Sequence, residues 1–349
     1  MQYLGFANLT PFAAQPLLLS DERGSDVFTC VVKGTFTTTQ TRQGTSVALA
    51  DEQAAVCVAP VYNGEPGLSS IKYESETALV KPGTDVALIG HAYAPRAGTT
   101  CVDVSLSVGP ARLSVRVFGN RVWTNILGRW TTSAPEPFEA IPLVYERAFG
   151  GWDRSSANAA HHDYEPRNPV GVGLVSRKYA AVREGAPLPN LENPSDLIGS
   201  PTDRPAPTGF GFIGPDWQPR ARYAGTHDAR WEKQRMPLLP DDFDRRFYSA
   251  APPSMAFGGY LRGGEAVEVV NASPHGTLRF LLPAAQPFAT VRMKDGATHR
   301  IGMALDTVIV NTDEGRLFLL WRGSVAIHKR VHDMLWTKVQ LAPDGGAGR

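Results

Sequence analysis

The stretch CVDVSLSVGPARLSVRVF, residues 101–118, decides the fold class. Val102, Val104, Leu106 and Val108 alternate with Asp103, Ser105 and Ser107, the period at which successive side chains take opposite faces of a sheet. Gly109-Pro110 interrupts, and Leu113, Val115 and Val117 then resume the alternation against Arg112, Ser114 and Arg116. The reading is an antiparallel hairpin of two half-buried strands joined by a tight turn.

Working towards the N-terminus, Phe28, Cys30, Val32 and Phe36 share one face of an earlier strand, and Asp85 to Tyr93, apolar at nearly every position, reads as a central strand. Beyond residue 260 strands return: Leu278, Phe280 and Leu282 share a face, and Leu317, Leu319 and Trp321 alternate after a turn at Glu314-Gly315, with Asp295-Gly296 as another tight turn. Between them, residues 131–260 hold 17 of the 28 prolines, too many for regular ladders or helices. The same segment carries Trp152, Trp217 and Trp231 with Phe138, Phe149, Phe210, Phe212, Phe243 and Phe247, aromatic mass that a disordered linker lacks and that is expected to be buried. The expected fold is mainly β. An antiparallel N-terminal β region (1–130) and a C-terminal β region (261–340), sandwich- or barrel-like, flank an irregular, proline-rich packed segment (131–260) with few short helices, and 341–349 form a flexible tail. Whether the two β regions share one core is left open by the pattern.

Thirty-five basic against thirty-four acidic residues leave a net charge of +1 over 349 residues, so the sequence has no electrostatic footprint for nucleic acid or an anionic membrane. No apolar run approaches the ~20 residues of a membrane-spanning helix, and no basic segment followed by an apolar one opens the chain, which points to a cytoplasmic protein with no membrane insertion. Cys30, Cys57 and Cys101 are too few and too widely spaced for a disulfide framework or a CxxC metal site, and read as reduced, buried thiols.

The candidate motifs each have a plainer explanation. Gly209 to Gly214 satisfies GxGxxG, yet SPTDRPAPT precedes it and Pro215-Asp216-Trp217 follows, where a nucleotide site needs a strand and then a helix; an aromatic-glycine packing loop is the reading. His161-His162-Asp163-Tyr164-Glu165 gathers metal-binding side chains but lacks the i, i+4 spacing of a helical site, and reads as a polar loop. Asp241, Asp242 and Asp244 stand beside Arg245 and Arg246 as in a charge-compensated turn. No cofactor, metal or catalytic constellation is therefore expected. The 14 basic and 16 acidic residues of 131–260 have two readings, a self-contained ion-pair lattice or an interface, and the two can coexist with the lattice presenting a surface. Within it Trp217, Arg220, Tyr223, Asp228, Arg230 and Trp231 supply the residue types that dominate binding hot spots, and are the candidate partner-binding residues.

Eight stretches carry a resemblance: VVKGTF (31–36), YNGEPGLSSIKYESE (62–76), KPGTDVALIGHAYAP (81–95), RVFGNRVW (116–123), PLVYERAFGGWD (142–153), EPRNPVGVG (165–173), LPNLENP (188–194) and YAGTHDARWEKQRMPLLPDDFDRRF (223–247). Together they resemble a bacterial domain-of-unknown-function family of type VI secretion accessory proteins. The resemblance implies an unsecreted, non-enzymatic adaptor or chaperone that binds a type VI secretion effector or a PAAR-type spike-tip protein and assists its loading onto the spike. It carries no catalytic residues over. The matched motif residues Arg147, Gly150, Gly151, Arg167 and Asn168, with Asp228 and Trp231, come without assigned roles. Two other readings stand beside it: a hydrolase or carbohydrate-active enzyme using carboxylates such as Asp153, Glu165 or Asp228, and a structural component of the secretion machine.

Overall fold

The hairpin forms with the expected partners: Cys101–Val108 pairs antiparallel with Ala111–Phe118, Val108 opposite Ala111, and Val104, Leu106, Val108, Val115 and Val117 are fully buried. The computed structural model describes residues 5–41, 44–178, 181–256, 258–328 and 330–342. Around the hairpin a five-stranded sheet runs Leu191–Glu192, Ala111–Phe118, Cys101–Val108, Ala266–Val270 and Leu278–Leu281. A six-stranded sheet runs Ala13–Ser20, Asp26–Thr41, Arg316–Ala326, Ala304–Asn311 and Asp85–Ile89, with Gly44–Leu49 also paired to Asp26–Thr41. A four-stranded sheet runs Gly5–Asn8, Met334–Leu341, Pro287–Met293 and Thr298–Gly302. None of the three closes into a barrel, and two of the pairings are parallel: Asp85–Ile89 on Ala304–Asn311, and Gly5–Asn8 on Met334–Leu341.

Strands from both ends of the chain thus lie side by side. The 16-residue strand Asp26–Thr41 pairs along its length with Arg316–Ala326, and Cys101–Val108 pairs with Ala266–Val270. One apolar cluster takes Cys30, Val32 and Leu319 from the six-stranded sheet, Val104, Leu106 and Val269 from the five-stranded sheet, and Ala289, Val291 and Val339 from the four-stranded sheet. The opposite face of the six-stranded sheet, with Val31, Ala87, Ile309 and Leu320, is covered by Ile71 from the short strand Ile71–Tyr73 and by Phe212 and Ala250.

Several expectations need correction. The Asp85–Ile89 strand is the last of its sheet rather than central; it is buried because loop backbone replaces the missing neighbour, Val86 donating to the Met255 carbonyl at 3.0 Å and Leu88 to that of Phe210 at 3.2 Å. Apolarity reports burial, whichever kind of backbone supplies it. Residues 131–260 are irregular as expected, made of two- to four-residue strands, single turns of 3-10 helix and one short α-helix, Ala229–Gln234. Phe149, Phe210, Phe212 and Trp217 are buried, but Trp152 is half exposed and lies flat on the equally exposed Tyr164, ring centres 4.6 Å apart. The charge lattice is not self-contained either: Arg220 reaches Glu74 and Arg245 reaches Glu22, because charges at the sheet border find their partners across it. Of the three thiols only Cys30 is buried, the other two lying at strand or loop margins. Residues 343–349 of the expected tail lie outside the described residues, while Leu341 still belongs to the last strand.

Candidate functional site

A cleft of about 1080 Å³ opens where the Asp85–Ile89 strand ends. Its floor is Leu88 to His91. One wall is the loop from Val61 to Lys72; the facing wall combines Pro142 to Arg147, Asn120 to Val122 and Pro187 to Asn190, with Val172 beside them. Six of the eight stretches that carry the resemblance therefore meet here, although they are spread over more than a hundred residues.

Local chemistry makes the walls rigid. The Asn63 amide donates to the Ser70 carbonyl at 2.9 Å, the Gly64 amide to Ser69 Oγ at 2.9 Å, and Ser69 Oγ to the Glu65 carbonyl at 2.9 Å, so the loop closes on itself and projects Leu68, 78% exposed, from its tip. Glu146 clasps that loop to the opposite wall by accepting from the Ser70 amide and hydroxyl, each at 2.7 Å. It belongs to a single 3-10 turn, Tyr145–Arg147. Tyr145, buried and edge-on to Trp217 at 5.6 Å, anchors the turn, and burial pushes its hydroxyl well above the ordinary phenol range.

The turn delivers Arg147 to the cleft. Its Nη1 donates to Asn190 Oδ1 at 2.9 Å, and Asn190 Nδ2 is itself fixed on the Phe118 carbonyl at 3.0 Å. Arg121, almost fully buried, also lines the cleft: it pairs with Glu192, donates to the Pro189 carbonyl at 2.9 Å and lies over the Phe118 ring, while its Nε has no partner. Across the cleft His91 Nδ1 meets both carboxylate oxygens of Asp313, at 3.0 and 2.9 Å. Lys72 pairs with Glu314 at 3.3 Å.

Of the motif residues without assigned roles, Arg147 alone lines this cleft. Asn168 Nδ2 donates to the carbonyls of Tyr145 and Phe149, at 2.8 and 3.0 Å, directly supporting the 3-10 turn. Gly150 and Gly151 take φ of 152° and 85°, and a Cβ on Gly151 would stand 2.1 Å from the Gly171 carbonyl oxygen, so only glycine lets these backbones touch. Arg167 grips Glu165 through two hydrogen bonds of 2.7 Å.

The candidate partner-binding residues divide. Trp217 and Arg220 are buried, Arg220 donating to Glu74 and to the carbonyls of Phe247 and Ile213, so neither presents a surface. Asp228 caps the Ala229–Gln234 helix by accepting from the amides of Arg230 and Trp231. The Trp231 indole donates to the Leu238 carbonyl at 2.8 Å, and Tyr223 lies under the guanidinium groups of Arg222 and Arg246. Arg230 is exposed. The carboxylates weighed for hydrolysis are likewise committed separately: Asp153 accepts from the amides of Ser155 and Ser176, Glu165 holds Arg167, and Asp228 holds its helix. Among the described residues no group of three or more His, Cys, Asp or Glu is placed to hold a metal ion, and Phe210 and Phe212 of the GxGxxG stretch are core residues.

Sequence reasoning missed Arg121, Glu146, Asn190, His91 and Asp313. The first four stand inside the resembling stretches, and the polar residues of those stretches were the available signal.

A bacterial protein family described as "Uncharacterized protein conserved in bacteria (DUF2169)" matches residues 23–322. The chain belongs to this family. The DUF2169 match runs from the start of the long Asp26–Thr41 strand to the end of its partner's buried part, and so takes in every wall of the cleft. The family description assigns no activity or partner. No curated protein and no solved structure matches the chain. No helix among the described residues is long and apolar enough to cross a membrane.

Proposed function

We propose that this DUF2169 protein is a non-enzymatic cytoplasmic adaptor or chaperone that binds a type VI secretion effector or a PAAR-type spike-tip protein and assists its loading onto the spike. The observation that carries the reading is the cleft itself, whose walls are the resembling stretches. Its volume, about 1080 Å³, is at the upper end of small-molecule sites, and the exposed Val61 lines it at the foot of the loop that projects the exposed Leu68. A largely apolar floor between polar and charged walls suits a segment of polypeptide, which brings both side chains and backbone amides.

The experiment is co-purification of the tagged protein with the products of neighbouring genes. The expected result is stoichiometric recovery of one effector or spike-tip protein, lost when Leu68→Asp and Val61→Asp are combined. Recovery of none, or recovery unaffected by the double change, counts against the reading.

One observation favours an enzyme instead. His91 is oriented by Asp313 at the cleft, an arrangement that prepares an imidazole to accept a proton. The hydroxyls of the facing wall are otherwise engaged, Ser69 Oγ donating to the Glu65 carbonyl and Ser70 Oγ to Glu146, so among the described residues no side-chain nucleophile is bonded to His91. A hydrolase substrate panel, with and without EDTA, on the wild type and on His91→Ala separates the two readings.

A further inference from the structure

We infer that the Arg147 side of the cleft is a carboxylate site, and that the carboxylate it takes is borne by a polypeptide. The second half rests on the protein-binding reading above; the first does not.

A guanidinium carries five N–H donors. That of Arg147, half-buried in the cleft, makes one hydrogen bond, to the neutral Asn190, and has no carboxylate within ion-pair distance among the described residues. The fully buried guanidiniums behave differently: Arg121, Arg220 and Arg322 each meet an acidic partner, Glu192, Glu74 and Asp306. In the same cleft Arg121 leaves its buried Nε without a hydrogen-bond partner. The donors that Arg147 leaves unused belong to a charged group that lines the cleft without an acidic partner, and it is this that makes its side of the cleft an anion site. The planar fork of Arg147, steadied on one side by Asn190, offers the parallel N–H pair that a carboxylate matches.

The surroundings set the class of anion. Glu146, next in the chain, has both oxygens occupied by Ser70, so it does not bond Arg147, yet its charge remains. With Asp313 on the far side, it opposes any ligand of higher negative charge, which disfavours phosphate dianions and nucleic acid and leaves a monoanion. A cleft of about 1080 Å³ is far larger than a carboxylate, and the exposed Val61 that lines it, with Leu88 and Ile89 in its floor, suits the chain that carries one.

The test uses the full-length protein labelled at arginine nitrogen, with the Arg147 side-chain resonance assigned by its loss in Arg147→Lys. The probes are an N-acetylated, uncharged hexapeptide in three forms: with a free C-terminal carboxylate, amidated, and amidated with one internal glutamate. Inorganic phosphate at equal ionic strength is the fourth. At least one carboxylate form is expected to shift the Arg147 resonance saturably, and the neutral amide is not. Which form saturates tells a C-terminus from an acidic side chain. Arg147→Lys, which keeps charge and stem but not the fork, is expected to bind at least about tenfold more weakly at an unchanged melting temperature. If that variant unfolds, the wild-type titration still decides.

The inference is overturned if the neutral amide shifts Arg147 as strongly as both acids, or if phosphate saturates the site at lower concentration than either. It also falls if a neighbouring effector or spike-tip protein binds Arg147→Lys as tightly as wild type, an outcome that leaves the adaptor reading standing. Conversely, saturable carboxylate binding at Arg147 with no co-purifying protein keeps the anion site and removes the adaptor.

Discussion

Arg220 meets Glu74 at 2.5 Å with both side chains nearly out of solvent, so one buried charge pair ties the irregular segment to the chain just beyond the loop that walls the cleft. Removing one member leaves the other charged and unpaired. Arg220→Ala is expected to cost about 3–5 kcal/mol in chemical denaturation, and Arg220→Met combined with Glu74→Gln to recover a large part of it. A single-mutant cost under about 1 kcal/mol would show that the pair is dispensable.

Gly151→Ala tests the support beneath Arg147. Its Cβ would overlap the Gly171 carbonyl at a φ of 85°, whereas Gly264, at a similar φ of 86°, has nothing within 4 Å. Gly264→Ala is expected to cost only the backbone strain, about 1 kcal/mol, and Gly151→Ala about 2 kcal/mol or more beyond that. Equal melting temperatures for the two variants would contradict the close approach.

Trp231 is half-buried, its indole donating to the Leu238 carbonyl and its ring edge-on to His227 at 4.5 Å. Trp231→Phe removes the hydrogen bond and is expected to cost about 1 kcal/mol. Trp231→Ala should additionally expose residues 229–240 to limited proteolysis while the sheets keep their amide protection, since the indole meets His227 and the Leu238 carbonyl of its own segment. Global unfolding of Trp231→Ala would place this residue in the core instead.

Acid stability should report Glu165. Burial pushes its carboxyl up, but the Arg167 side chain and backbone amide outweigh it and hold the group below its ordinary 4.5. A carboxyl depressed on folding adds stability that is complete above that value and is lost as pH falls through the folded pKa. The melting temperature of the wild type should therefore fall more steeply than that of Glu165→Gln below about pH 4.5. Parallel curves would remove this linkage.

The hairpin at 101–118 is legible because one face of each strand is polar enough to print the period, and the turn residues mark its end. Asp85–Ile89 is legible as buried but not in its place, since a continuous apolar run says nothing about whether its neighbour is a strand or the backbone of Phe210 and Met255. Trp152 escapes burial because it packs on Tyr164 and under Arg154, a surface stack that composition cannot tell from a core contact. The cleft was beyond reach for a different reason: Ser70 and Glu146, or Arg147 and Asn190, are polar residues far apart in the chain, and no periodicity couples them.

The interleaving of early and late strands dictates when the protein can exist during its synthesis. Asp26–Thr41 emerges from the ribosome nearly three hundred residues before Arg316–Ala326, the strand that pairs along it, and Asp85–Ile89 must likewise wait for Ala304–Asn311. Until then the nascent chain exposes long, apolar, hydrogen-bond-hungry strands to whatever else is nearby, a state with high contact order and a strong tendency to aggregate. A chain that stops before Arg316–Ala326 therefore leaves Asp26–Thr41 without the strand that pairs with it, so folding of this sheet waits on synthesis of its late strands.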